Sequence, residues 1–215
     1  MKKFAVVLSG CGVYDGAEIH EATLTMWAIM KHGAEYEIFA PDIRQRQVIN
    51  HLNGEETDET RNVLAESARI ARGNVRDLSE YDPDRFDAII FPGGFGAAKN
   101  LCTFAIDGVD CTVNPDVENA IKKTAKKRKP IGALCISPVI VAKVLGNIEL
   151  TIGNDPETAE AVVGMGATHI ETTHGEVVVD EENMIFTTPC YMLDANIVQI
   201  AEGAENIVEA MLSNM

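Results

Sequence analysis

The sequence has five cysteines, at positions 11, 102, 111, 135 and 190, and none stands at the close Cys-x-x-Cys spacing that holds zinc or runs a dithiol couple. Their odd number also argues against a disulfide framework, so the expected location is the reducing cytoplasm. Metal-ligand patterns are missing as well. His20, His32, His51, His169 and His174 form no pair at helical ligand spacing with an acidic third group, and no metal is expected. Positive charge is scarce: 18 basic residues against 33 acidic ones leave a net charge of −15, which opposes binding to nucleic acid or to an anionic membrane. No apolar run is long enough to span a bilayer, and Phe4 to Leu8, behind Lys2 and Lys3, is too short for a signal-peptide core. There is no internal repeat and no low-complexity linker. At 215 residues and 46% hydrophobic content, the chain suits one well-buried domain, residues 1–215, acting on small neutral substrates or protein partners.

What is present is an alternation of short apolar runs and amphipathic stretches. Phe4 to Leu8, Tyr36 to Ala40, Ala88 to Phe91 and Glu149 to Ile152 read as strands. Helices are expected over Glu18 to Lys31, Glu59 to Arg72, Asn114 to Lys127, Pro156 to about Gly164, and Ala195 to Leu212, the last interrupted by Gly203. Asn53-Gly54 marks a turn that would join a small hairpin within Pro41 to Asp58; Val177 to Val179 and Met184 to Thr187 read as a second hairpin. Residues 95–112 read as irregular. The alternation predicts an α/β sandwich around a mostly parallel sheet, which binds ligands beyond the carboxyl ends of its strands. The glycine-rich stretch Gly10 to Gly16, Gly93-Gly94 and the turn at Cys135 each follow a predicted strand, and so should meet at that edge.

Ile131-Gly132-Ala133-Leu134-Cys135-Ile136-Ser137-Pro138 places a cysteine where a buried strand breaks into a helix, with Ser137 as expected cap and Pro138 at the first turn. Such a nucleophile elbow would expose the thiol to a helix N-terminus that lowers its pKa. The competing reading is a small, inert, buried residue. Glu21, early in the first helix, reads either as a carboxyl near the thiol or as a solvated glutamate favoured by the helix dipole. Gly10-Cys11-Gly12 fails as a dinucleotide fingerprint, because Asp15 stands where the third glycine belongs. The basic run from Lys122 to Lys129 closes a helix that begins with Asp116 and Glu118, as dipole complementation requires.

Three segments taken together, Asp15–Glu21, Phe91–Leu101 and Gly132–Pro138, resemble the ElbB family of glyoxalase-type proteins, also described as isoprenoid-biosynthesis proteins with an amidotransferase-like domain, in the PfpI-like superfamily. The likeness extends through Ser9–Gly16, Val48–Leu52, Thr60–Leu64, Thr151–Gly153 and Thr187–Pro189, and covers nearly the whole chain. It implies a flavodoxin-like three-layer sandwich that forms a homodimer. It also implies that Cys135 is the nucleophile, Glu21 its partner, and the backbone N–H groups of Gly93, Gly94 and Ile136 the oxyanion donors. Many relatives carry His-Pro where this chain has Asp155-Pro156, so Asp155 is either a substitute proton relay or simply the cap of the next helix. A carboxylate beside a thiol raises the thiol pKa, so Glu21 is expected to help most when protonated and donating to sulfur.

The activity implied is cofactor-independent, glutathione-independent conversion of a small dicarbonyl, glyoxal, to glycolate through a cysteine hemithioacetal. The alternative is a cysteine-based sensor of carbonyls or oxidants with little turnover. Amidotransferase and peptidase chemistry are disfavoured by the missing histidine base, and no Asp-rich cluster supports a role with isoprenoid diphosphates.

Overall fold

The computed structural model describes residues 1–215. In chain order the elements are β1 (Lys3–Val7), α1 (Ile19–Lys31), β2 (Glu35–Ala40), α2 (Val63–Ile70), β3 (Arg76–Asp77), β4 (Ala88–Phe91), α3 (Phe104–Asp107), α4 (Pro115–Lys126), β5 (Ile131–Leu134), α5 (Pro138–Leu145), β6 (Glu149–Leu150), α6 (Pro156–Gly164), β7 (Thr168–His169), β8 (Val178–Asp180), β9 (Ile185–Thr188) and α7 (Ile197–Ser213). Seven strands form one sheet in the order β3-β2-β1-β4-β5-β9-β8. All its pairings are parallel except β8 with β9. The expected α/β sandwich with a mostly parallel central sheet is what the chain forms.

Strand alternation explains the layers. Phe4, Val6, Leu8, Ala88 and Ile90 point into one core with Ala22, Met26 and Ile29 of α1 and Ile200, Ile207 and Met211 of α7. Ala5, Val7, Ile89, Phe91, Ile131 and Ala133 point into the other, against α4 and α5. Because both faces are covered, the central strands are apolar on both sides and read as continuous runs rather than alternating ones.

The path runs outward from β1 through β2 to β3, then returns to β4 on the other side of β1. The carboxyl ends of β1 and β4 therefore flank a reversal of strand order, where an open α/β sheet leaves a crevice. Glycine-rich β1 and β4 exits and the turn after β5 lie along that edge, as expected.

Several boundaries differ from the sequence reading for identifiable reasons. The second helix begins at Val63, because Asn62 caps it by accepting from the Ala65 N–H at 2.9 Å and is itself bridged to Arg44. Around Asn53-Gly54 the chain turns back through an isolated antiparallel bridge, Ile49 with Glu56, without forming full strands. The strand expected over Glu149 to Ile152 shortens to β6, which pairs with β7 in a separate two-stranded sheet. Residues 95–112 contain a π-helical turn, Ala97–Leu101, followed by α3 and a further turn. No helix is long and apolar enough to cross a membrane.

Candidate functional site

Cys135 follows β5 with φ +60°, a left-handed conformation that a non-glycine residue adopts only at a cost. The elbow is held from two sides. Its own N–H donates to the Thr188 carbonyl at 3.0 Å at the end of β9. Ser137, expected to cap the next helix, makes no cap bond; its hydroxyl donates to the Pro92 carbonyl at 2.8 Å and ties the elbow to the β4 exit loop. That loop lies so close that a Cβ on Gly93 would sit 2.5 Å from Cys135 Cβ and 2.6 Å from Glu21 Oε2. Glycine is required there by space alone.

Glu21 is fully buried, so the solvated alternative is excluded. Its Oε2 accepts from the Gly93 N–H at 2.9 Å and its Oε1 from the Tyr191 N–H at 3.2 Å. Burial, and then the charge of Glu18, push its carboxyl up to about 7, against hydrogen bonds from Tyr191, Cys135 and Gly93 that favour the ionised form. The Cys135 sulfur lies beside it, since a Cβ on Gly93 would stand 2.6 Å from Glu21 Oε2 and 2.9 Å from Cys135 Sγ. Burial, and then the Glu21 charge, raise the Cys135 thiol well above its ordinary value, although the N–H groups of Gly94 and Ile136 point at the sulfur and pull the other way. The expected thiol activation by the following helix is thus outweighed, because Cys135 is only 7% exposed and faces a carboxylate.

Gly93 is corrected as an oxyanion donor: its N–H is already spent on Glu21. Gly94 and Ile136 keep theirs directed at the sulfur, where an oxygen bonded to a sulfur-attached carbon would also come within reach. Asp155 lines the same cavity, but it caps α6, accepting from the Thr158 N–H at 2.8 Å. Hydrogen bonds from the Thr158 side chain and backbone hold its carboxyl below the ordinary aspartate value. A group held ionised and already bonded is poorly suited to relay protons.

Two residues escaped the sequence reading. Glu18 ends the glycine-rich loop as N-cap of α1, accepting from the Glu21 N–H at 2.7 Å, and lines the cavity. The spacing Glu18-x-x-Glu21 at a helix start was the available signal. Tyr191, in the turn after β9, orients Glu21 through its backbone and lines the cavity too; its phenol pairs with His20 Nδ1 at 2.8 Å. Nothing in its local sequence marks it, because the contact spans most of the chain.

The cavity over Cys135 measures about 370 Å³. Val13, Phe95, Ala98, Phe104, Ile136 and Met192 make its wall largely apolar, so the segment from 95 to 112 supplies part of the roof.

The parallel α/β sandwich is the fold of solved ThiJ/PfpI domain proteins, one of which, from Brachyspira murdochii, superimposes with a TM-score of 0.61 at 17% identity, covering 100% of this chain and 97% of that one. A solved isoprenoid biosynthesis protein with amidotransferase-like domain from Ehrlichia chaffeensis superimposes with a TM-score of 0.92 at 36% identity, covering 99% of this chain and 100% of that one. Glyoxalase III from Candida albicans shares the fold at a TM-score of 0.62 and 15% identity, with 100% and 97% covered. No family model matches the chain. The rat mitochondrial ES1 protein homolog is 48% identical over 220 residues, which cover 98% of this chain and 83% of the relative. Human glutamine amidotransferase-like class 1 domain-containing protein 3, mitochondrial, is also 48% identical over 220 residues, covering 98% and 82%. The chain belongs to the ES1 family. The mitochondrial names of these relatives overturn the cytoplasmic location expected from the cysteines. Free thiols mark a reducing environment without distinguishing one such compartment from another.

Proposed function

We propose that the protein is a cofactor-independent glyoxalase, converting an α-oxoaldehyde and water to the 2-hydroxy acid, with glyoxal giving glycolate. The observation that carries this reading is the fully buried Glu21 carboxyl set beside the Cys135 sulfur, the two packed so closely about Gly93 that a Cβ there would stand 2.6 Å from Glu21 Oε2 and 2.9 Å from Cys135 Sγ, with the Gly94 and Ile136 N–H groups favouring negative charge on the sulfur. Glu21 takes the thiol proton as sulfur attacks the aldehyde carbon, and that proton passes to the new hemithioacetal oxygen. The ionised Glu21 then removes the hydrogen from the same carbon and returns a proton to the neighbouring one, while the hemithioacetal O–H proton moves to the oxygen of that neighbouring carbon. The Gly94 and Ile136 N–H groups stabilise the oxyanion throughout. The product is a thioester on Cys135, which water hydrolyses. The fold shared with a glyoxalase III supports the proposal at the level of architecture.

A neutral, buried thiol is a slow target for peroxide, which weighs against an oxidant sensor. The test is a glutathione-free time course of glycolate formation from glyoxal with purified protein. Wild type is expected to turn over and Cys135→Ala to lose at least about a thousandfold; equal rates would refute the proposal.

A further inference from the structure

The glyoxalase reading leaves the substrate's size and charge open, and the cavity constrains both. Glyoxal has four heavy atoms. Allowing each the roughly 30 Å³ that a water molecule occupies in the liquid, it would fill about a third of the space. A cavity of about 370 Å³ belongs to the range that encloses much larger ligands. The wall is mainly apolar, with Phe95, Ala98, Phe104 and Met192 among the lining residues.

The charge is one-sided. Glu18 and Asp155 lie on the wall, Glu21 lies behind Cys135, and no lysine, arginine or histidine lines the cavity. Glu18 is only 8% exposed, so its field is poorly screened by water. The positive features are the Gly94 and Ile136 N–H groups at the sulfur, placed to meet the reacting oxygen, and the first turns of α1 and α6, whose N–H groups are already engaged by Glu18 and Asp155. An anionic group elsewhere in the cavity would face carboxylates at short range without a counter-charge, a costly arrangement in a partly enclosed site.

Resting on the glyoxalase reading, we infer that the preferred substrate is an α-oxoaldehyde with an uncharged apolar arm about the size of an aryl ring, and that carboxylated or phosphorylated counterparts are rejected. The arm lies against Phe95 and Phe104 while the aldehyde reaches Cys135. The reaction balances internally: the Sγ–H bond breaks as Sγ–C1 forms, its proton ending on the C2 oxygen, while the C1–H bond breaks and a C2–H bond forms. C1 is oxidised as C2 is reduced, and water cleaves the Sγ–C1 bond to release the hydroxy acid. No outside oxidant or reductant enters.

Two readouts separate this inference from the reading beneath it. In turnover, kcat/KM for phenylglyoxal is expected to exceed that for glyoxal by at least about tenfold, as burial of a ring predicts. Phenylglyoxal bearing a 4-carboxylate is expected to fall at least about tenfold below phenylglyoxal, and Asp155→Asn to narrow that gap. In binding, Cys135 alkylation by iodoacetamide is followed with non-isomerisable aldehydes. Benzaldehyde is expected to protect at lower concentration than acetaldehyde, and 4-carboxybenzaldehyde to protect least. Equal or better performance by glyoxal, acetaldehyde or the carboxylated probes overturns the substrate class even if turnover is present. Absent turnover with ordered protection by the aldehydes would refute the glyoxalase reading while retaining the cavity's preference.

Discussion

Glu21 and Cys135 close on Gly93 from two sides, a Cβ there standing 2.6 Å from Glu21 Oε2 and 2.9 Å from Cys135 Sγ, and the two carboxylate oxygens of Glu21 are held by backbone N–H groups, from Gly93 at 2.9 Å and Tyr191 at 3.2 Å. The carboxylate therefore arrives already oriented by three elements of the fold, and it is the only base beside the sulfur. The role that a histidine plays in many cysteine enzymes falls to it.

The pH dependence of kcat/KM follows from that assignment. Glu21 must be ionised to accept a proton, and its carboxyl is pushed up to about 7 by burial and by Glu18. Activity is expected to rise with pH through about 7, a limb visible only because the carboxyl lies so far above ordinary glutamate. Glu18→Gln, which removes the charge behind part of that rise, is expected to move the limb to lower pH. A flat profile between pH 5 and 8 would contradict the assignment.

The same group makes folding stability depend on pH. Glu21 has a folded value of about 7 against 4.5 for an unperturbed glutamate, so the native state holds its proton more tightly than the unfolded chain. Its contribution is fully present below pH 4.5 and is lost as pH rises through 7, by an amount on the order of 3 kcal/mol. Glu21→Gln carries no titration but places an amide N–H against a backbone donor, at a constant cost of about 1–3 kcal/mol. Denaturant unfolding at pH 4.5 and pH 8 is expected to show wild type losing stability relative to Glu21→Gln across that interval. A constant difference would mean that Glu21 does not titrate there.

Gly94 has φ +97°, and a Cβ on it would stand 2.4 Å from both the Gly16 carbonyl oxygen and the Glu18 nitrogen. Gly94→Ala is expected to cost about 3 kcal/mol or more, because it combines backbone strain with overlap against rigid backbone. Thermal unfolding reads this directly.

Asp155 separates a structural role from a chemical one. Asn caps helices as well as Asp, so Asp155→Asn is expected to keep stability and to leave glyoxal turnover within about threefold. Asp155→Ala is expected to lose about 1 kcal/mol of stability through the missing cap. A hundredfold loss of kcat in Asp155→Asn, with stability intact, would restore it as a proton relay.

The parallel sheet and the elbow were legible because both leave local marks: four-residue apolar runs for β4 and β5, and Cys135 between a strand and Pro138. Glu21 could be placed near the sheet edge by its position in α1, but its complete burial could not, since a glutamate in a first turn reads equally well as solvated. Ser137 misled because its cap position is genuine while its hydroxyl is drawn to Pro92 across the sheet. Gly93 misled in a similar way, its N–H being taken by a residue 72 positions away. Tyr191 and the short strand Thr168–His169 left no local signal, because tertiary contacts alone define them. The direction of the thiol shift depended on burial, which no local motif encodes.

In the proposed reaction Glu21 moves the protons while Cys135 carries the substrate. This division of roles is tested most directly by mixing Glu21→Gln with glyoxal, reducing with borohydride, and measuring intact and peptide masses alongside glycolate release. The expected result is a substrate-derived adduct confined to Cys135, with glycolate released at least about a hundredfold more slowly than by wild type. Glycolate formation by Glu21→Gln at the wild-type rate, or the same adduct and turnover in Glu21→Gln/Cys135→Ala, would contradict that division.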